Sequence, residues 1–374
     1  TYICNSSSQL FCFPFSIQGY SIEDWTYLAG ESRRHQLDTL LYTNVRPLLS
    51  DELRQTPPLE AWLTVVRQST IKALVRDREL GDVLKGLNQA GIRPVVFKGA
   101  ALAHTVYPSS ACRTMSDIDL WVHSNEMFDA QKALEQQGYV QNFRETRPLA
   151  MQPHFDGEIQ MRGTLNGQSC VEVHWGVFPG EWLRYTTQVD RAAIWGRTTL
   201  GHVLGQEVRF LAPEDALIQV IVHLAVNHQM SLHPLRSLVD MALLIEQGIA
   251  WPLVEERARA WRLAQVTGLT LSLLCDVFAL SEPRPAAERL LPAGGRKQLL
   301  YRFADAQALI ARPTLSSGKK RFFYLLALPD RWRDSARLLG RTLWPEPEWL
   351  QARYGAATWP IRLRHTASAF TGEI

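Results

Sequence analysis

The spacing of apolar positions divides the chain into three stretches. From Ser21 to Asn88 apolar residues recur three and four apart, as in Trp62, Val65, Val66 and then Ile71, Leu74, Val75, with Pro47, Pro57 and Pro58 interrupting. That period predicts a helical segment. Gly91 closes its last helix, and the β-branched run Ile92 to Phe97 predicts a first strand ending at Lys98 and Gly99. Ala100 to Tyr107 predicts a helix stopped by Pro108. Asp117 to His123 alternates polar and apolar and predicts a second strand; Asn125 to Gln137 predicts a helix, and Phe155 to Met161 and Ser169 to Trp175 predict two more strands. Beyond Pro213 the period is helical in Ala216 to Val226, Leu235 to Ile245, Leu253 to Leu263 and Val266 to Leu280, with further helix-like pieces at Gln298 to Ile310 and Arg331 to Leu343. The expected fold class is α+β: a helical segment over residues 1–90, a core of mixed strands and helices over 91–212, and a helical region over 213–374.

Composition narrows this picture. A chain of 374 residues with 46% hydrophobic and 21% charged residues has ample material for a core, which excludes wholesale disorder. Forty basic against 37 acidic residues is too even a balance for a dedicated nucleic-acid coat. Charges interrupt every apolar run before the roughly 18 residues that a membrane helix needs, so no span is expected. No signal peptide is read in Thr1 to Ser21, and Cys4, Cys12, Cys112, Cys170 and Cys275 are scattered without a C-x-x-C pair. They read as reduced thiols in a cytoplasmic protein.

The candidate chemistry lies in the predicted core. Asp117 and Asp119 flank Ile118, and side chains two apart on a strand share a face, so the carboxylates repel unless a cation joins them. Oxygen-only ligands select Mg²⁺ or Mn²⁺. An isolated D-x-D also has a plain structural reading, with one Asp at the strand end and the other in water. Lys98 and Gly99 stand at a strand-to-helix turn, where free N–H groups gather and glycine admits a phosphate. Lys98 adds a point charge, and Arg113 and Ser116 offer a guanidinium fork and a hydroxyl. Glu172 in CVEVHW shares a strand face with His174, and it reaches the two Asp residues if its strand neighbours theirs. His174 is then placed to contact metal-bound water or phosphate. His223 and His228 are five apart, which on an α-helix is not one face, so zinc is not expected; each reads as a structural histidine or as part of the cleft wall. Asp240 sits among apolar residues at helical spacing and reads as a buried polar contact.

The strings FKGAALAHTVYPSSACRTMSDIDLWV, VEVHWGVF, LAPEDALIQVIVHLAVNH and LRSLVDMALLI, in that order, resemble the bacterial family of uncharacterised nucleotidyltransferases within the DNA polymerase β superfamily. The resemblance runs from about Ile92 to Ile245, and the tail LWPEPEWLQARYG is similar to the family's usual ending. It implies a polymerase-β-like mixed sheet, a glycine turn at Gly99 holding the triphosphate of an NTP, Asp117 with Asp119 binding two Mg²⁺, and Glu172 as the third acid. Ala100 stands where the superfamily commonly carries Ser, which shifts phosphate binding toward Lys98, Arg113 and backbone N–H groups. The implied reaction is in-line attack by an acceptor hydroxyl on the α-phosphate with release of pyrophosphate, Glu172 binding the catalytic metal. A peptide natural product or small molecule is the favoured acceptor. A toxin that modifies transfer RNA or proteins is the alternative. A catalytically silent binding or scaffold subunit is the reading from another class, weakened by the retention of three mutually repelling acids.

Overall fold

The computed structural model describes residues 19–142, 157–165, 168–311 and 318–371. Cys4, Cys12 and the first residues of the strand expected from Phe155 lie outside them. The chain builds a mixed α+β fold on seven strands: β1 (Val95–Val96), β2 (Asp117–Trp121), β3 (Tyr139–Gln141), β4 (Glu158–Gly163), β5 (Cys170–His174), β6 (Thr199–Val203) and β7 (Gln206–Phe210). Their order is β3-β4-β5-β2-β1-β7-β6. The β2–β5 and β1–β7 pairs are parallel and the rest antiparallel.

Strand parity sends side chains to two different cores. Val96, Ile118, Leu120, Val171 and Val173 point to one face and are buried against Leu80, Val83, Leu84 and Leu87 of the helix Pro57–Gln89, joined by Ala130 and Leu134 of the helix Met127–Glu135. Fully burying each of these aliphatic side chains contributes about 1.5–3 kcal/mol. The long helix starts at Pro57 and Pro58, whose fixed φ suits a first turn. It ends in a glycine cap, where Gly91 takes φ +80° while Ile92 N–H donates to Leu87 O (2.9 Å) and Gly91 N–H to Asn88 O (3.0 Å).

Val95, Phe97 and Trp121 point to the opposite face, where they share the largest core with the helices Pro213–Val222, Pro234–Glu246 and Ala264–Phe278. The residues before Gly91 add a small core of their own, in which Trp62 meets Tyr42 edge-on at 5.5 Å and its Nε1 donates to Asp38 O (3.1 Å).

Several expected elements differ in extent. The first strand keeps only Val95 and Val96 of the six residues expected, and the helix after it begins at Lys98. The 298–310 piece is two helices, Gly295–Phe303 and Ala306–Ala311. The hairpin of β6 and β7 carries no strand expectation; Leu204 and Gly205 form its turn, both with positive φ. The described cysteines Cys112, Cys170 and Cys275 are free thiols, and no described helix is long and apolar enough to cross a membrane.

Candidate active site

Because β2 and β5 are parallel neighbours, their register decides which acids meet. Asp119 pairs with Glu172, Asp117 with Cys170 and Trp121 with His174. Asp119 and Glu172 therefore stand side by side on the sheet face opposite Ile118 and Val171. Oxygens of these two acids and a nitrogen of His174 lie within 4.8 Å of one another, an arrangement able to hold a metal ion. Asp117 is outside that trio. It lines the same cavity, and its Oδ1 accepts from Ser116 Oγ at 2.9 Å.

Buried charges tie the cluster together. Lys98 Nζ donates to Asp119 Oδ1 at 2.6 Å and lies 4.0 Å from Glu172. His174, fully buried, places Nε2 3.1 Å from Asp119 and 3.6 Å from Glu172, with Nδ1 at ion-pair distance, 3.2 Å, from Glu158. Gln160, opposite Glu172 on β4, donates to Glu172 Oε1 at 2.7 Å. Phe97 meets the His174 ring edge-on at 5.0 Å. Burial opposes charge on Glu172, but the His174 hydrogen bond and Lys98 outweigh it and hold the carboxyl down at about 2. Burial likewise opposes protonation of His174, yet its bonds to Asp119 and Glu172 raise it to about 9. His174 thus bridges the two acids and, with them, forms the trio able to hold a metal ion. Lys98 is also desolvated, and Asp119 with Glu172 more than restores its charge.

The strand-to-helix turn differs in detail from its expected form. Lys98 takes the left-handed φ, +52°, while Gly99 does not. A Cβ on Gly99 would come within 3.1 Å of Met115 Cγ, so the glycine admits the Arg113–Met115 loop. Ala100 buries its side chain in the core beneath the sheet, leaving only backbone atoms for a phosphate. Arg113 is not free to grip phosphates as expected: its Nε and Nη2 donate to Asp240 at 2.7 and 2.8 Å and its Nη1 to Thr114 O. Asp240 also accepts from Tyr107 at 2.7 Å, so it is a buried polar hub.

A cavity of about 460 Å³ opens over Asp117, Asp119 and Glu172 and is also lined by His223, His228 and Arg236. Here the α-helical assumption about the histidines fails. His223–Asn227 is a π-helical turn, which winds more slowly and brings residues five apart together, so the two Nε2 atoms are 3.1 Å from each other. Gln36, Glu158, Gln160 and Arg236 are site residues that sequence reasoning missed. The even spacing of Glu158 and Gln160 on a strand beside Glu172 is the signal that could have found two of them.

Burial first, and the nearby charges of Lys98 and Arg236 second, push His228 down to about 4. Its unfolded value is about 6.5, so the folded protein excludes a proton that the unfolded chain takes up as pH falls. This contribution is intact above pH ~6.5 and costs roughly 3 kcal/mol by pH ~4. Urea unfolding at pH 7 and pH 4 should show a smaller acid loss in His228→Gln than in the parent; equal losses would refute the assignment.

The family described as "Uncharacterised nucleotidyltransferase" matches residues 21–279, more than half of the chain. No curated protein matches significantly. Among solved structures, an antigenic nucleotidyltransferase-like protein from Paracoccidioides brasiliensis is similar at 14% identity and a TM-score of 0.33, over 60% of this chain and 94% of that one, too distant a likeness to bear on function. The chain belongs to the family of uncharacterised nucleotidyltransferases.

Proposed function

We propose that the protein is a Mg²⁺-dependent nucleotidyltransferase that moves a nucleoside monophosphate from an NTP to a hydroxyl of a peptide natural product or small molecule. The observation that carries this reading is Asp119 level with Glu172 on adjacent parallel strands, under a cavity that Asp117 also lines. The donor set suits a hard divalent cation, because Asp117, Asp119 and Glu172 offer oxygen and the cluster already draws two cationic side chains, Lys98 and His174, onto its acids. Those three acids would hold the metal, which when bound lowers the pKa of an acceptor hydroxyl and neutralises developing pyrophosphate charge.

The protein's own residues divide the remaining work. His174 and Gln160 fix the Glu172 carboxylate from two sides. A carboxyl held near 2 is a good anionic ligand and a weak base, so Glu172 is assigned to cation binding rather than to taking the hydroxyl proton. Lys98 stays cationic and offers the phosphates a point charge. Backbone N–H groups at the Lys98 turn add donors.

Incubation with each labelled NTP, Mg²⁺ and candidate acceptors should move label from the α-phosphate position onto an acceptor. A silent binding subunit is the second reading, favoured by the Lys98 ammonium that already neutralises Asp119. Thermal unfolding separates the two. An enzyme gains about 2.7 kcal/mol with Mg²⁺ and NTP at a hundred times Kd, whereas a silent subunit shows no metal-dependent gain.

A further inference from the structure

Three cations line the cavity, and two of them are matched: Lys98 by Asp119 and Arg113 by Asp240. Arg236 is not. Among the described residues its one hydrogen-bond partner is the side-chain oxygen of Gln36, no carboxylate lies within ion-pair distance, and its Nε is buried without an acceptor. A guanidinium removed from water without an anion in contact is costly, and this one has a second guanidinium nearby, offset only in part by the more distant Asp240 and Asp117. Burial, then Arg113, lowers Arg236 to about 10. The same positive field reaches His223 and His228, which burial and Lys98 hold neutral.

The histidine pair adds a donor. With one Nε2–H given to the other Nε2, the accepting neutral ring carries its remaining proton on Nδ1, and neither ring has another partner among the described residues. The cavity is thus lined by acids and also by a guanidinium and a histidine pair that have N–H groups without an acceptor among the described residues.

We propose that Arg236, with the His223–His228 pair beside it, forms a phosphate-binding subsite of the cavity that takes the terminal phosphates of the NTP. This assignment rests on the nucleotidyl-transfer reading and moves to Arg236 the duty that the sequence gives to Arg113. A guanidinium suits it, since its planar fork matches two phosphate oxygens. An anionic group on the acceptor has the same chemistry, and the test separates the two sources.

The test is calorimetric titration of the full chain with pyrophosphate in EDTA and with Mg²⁺–NTP. Loss of a charge-assisted bond predicts that Arg236→Gln weakens pyrophosphate binding about 10- to 100-fold, with Arg236→Lys in between. If NTP affinity falls in parallel, the anion is the triphosphate. If pyrophosphate affinity falls alone, the triphosphate assignment is overturned and the subsite serves an anionic acceptor. No pyrophosphate binding by the parent, or equal binding by parent and variants, overturns the subsite altogether. The lysine variant keeps the test readable should the glutamine variant unfold. The pyrophosphate arm needs neither metal nor turnover, so failure of the nucleotidyl-transfer reading alone would leave it intact.

Discussion

Asp119→Asn should fold cooperatively and transfer nucleotide about a thousandfold more slowly than the parent, the scale set by losing a group that stabilises transition-state charge in a dry site. Asp119 faces Glu172 in register and receives both Lys98 and His174, so the substitution removes the central anion of the cluster. The fold survives because asparagine has nearly the same shape, Glu172 remains 4.0 Å from Lys98, and His174 can release its proton. Metal-dependent thermal stabilisation should fall along with turnover. Rates and melting curves on one preparation decide the matter: a variant that folds and keeps parental turnover removes Asp119 from the reaction.

The second large effect is on stability. Asp240→Ala strands the Arg113 guanidinium and the Tyr107 hydroxyl in the interior, where breaking a buried ion pair from one side costs about 3–5 kcal/mol. For a cooperative unit of this size the melting temperature should fall by roughly 4–6 °C. Removing both charges with packed apolar replacements, Asp240→Leu with Arg113→Met, should recover much of that loss, since replacing a buried pair is often neutral. A single variant as stable as the parent would show that the pair adds nothing. Arg113 precedes β2 while Asp240 lies in the helix Pro234–Glu246, so their bond joins two elements that both line the cavity.

What could be read from the sequence follows from how local each signal is. β2 and β5 are legible because alternation along DIDLW and CVEVH marks both faces at once, and parity puts Asp117, Asp119, Glu172 and His174 on one side. Which strands are neighbours is a tertiary fact, so the Asp119–Glu172 meeting could only be stated conditionally. The β6–β7 hairpin escapes notice because its turn is Leu204-Gly205 rather than the Asn-Gly or Asp-Gly that signals positive φ at both positions. The first strand shrinks because Pro94 has no N–H for a ladder and contributes only its carbonyl, to Arg209. The histidine pair is hidden by a π-turn, which no apolar period announces. Residue type and closeness to the Asp pair point Arg113 toward phosphate, whereas its partner Asp240 lies 127 positions away and leaves no local signal.

Gln36 comes from the turn between the helices Ile22–Arg34 and Asp38–Val45, yet it lines the cavity and accepts from Arg236. The sheet also leans on Leu80, Val83, Leu84 and Leu87 of the same early part of the chain. Excising a minimal catalytic fragment that begins at Gly91 would therefore uncover an aliphatic face and take one lip off the cleft at the same cut. Such a fragment should be sticky and poor at ligand binding for two separate reasons.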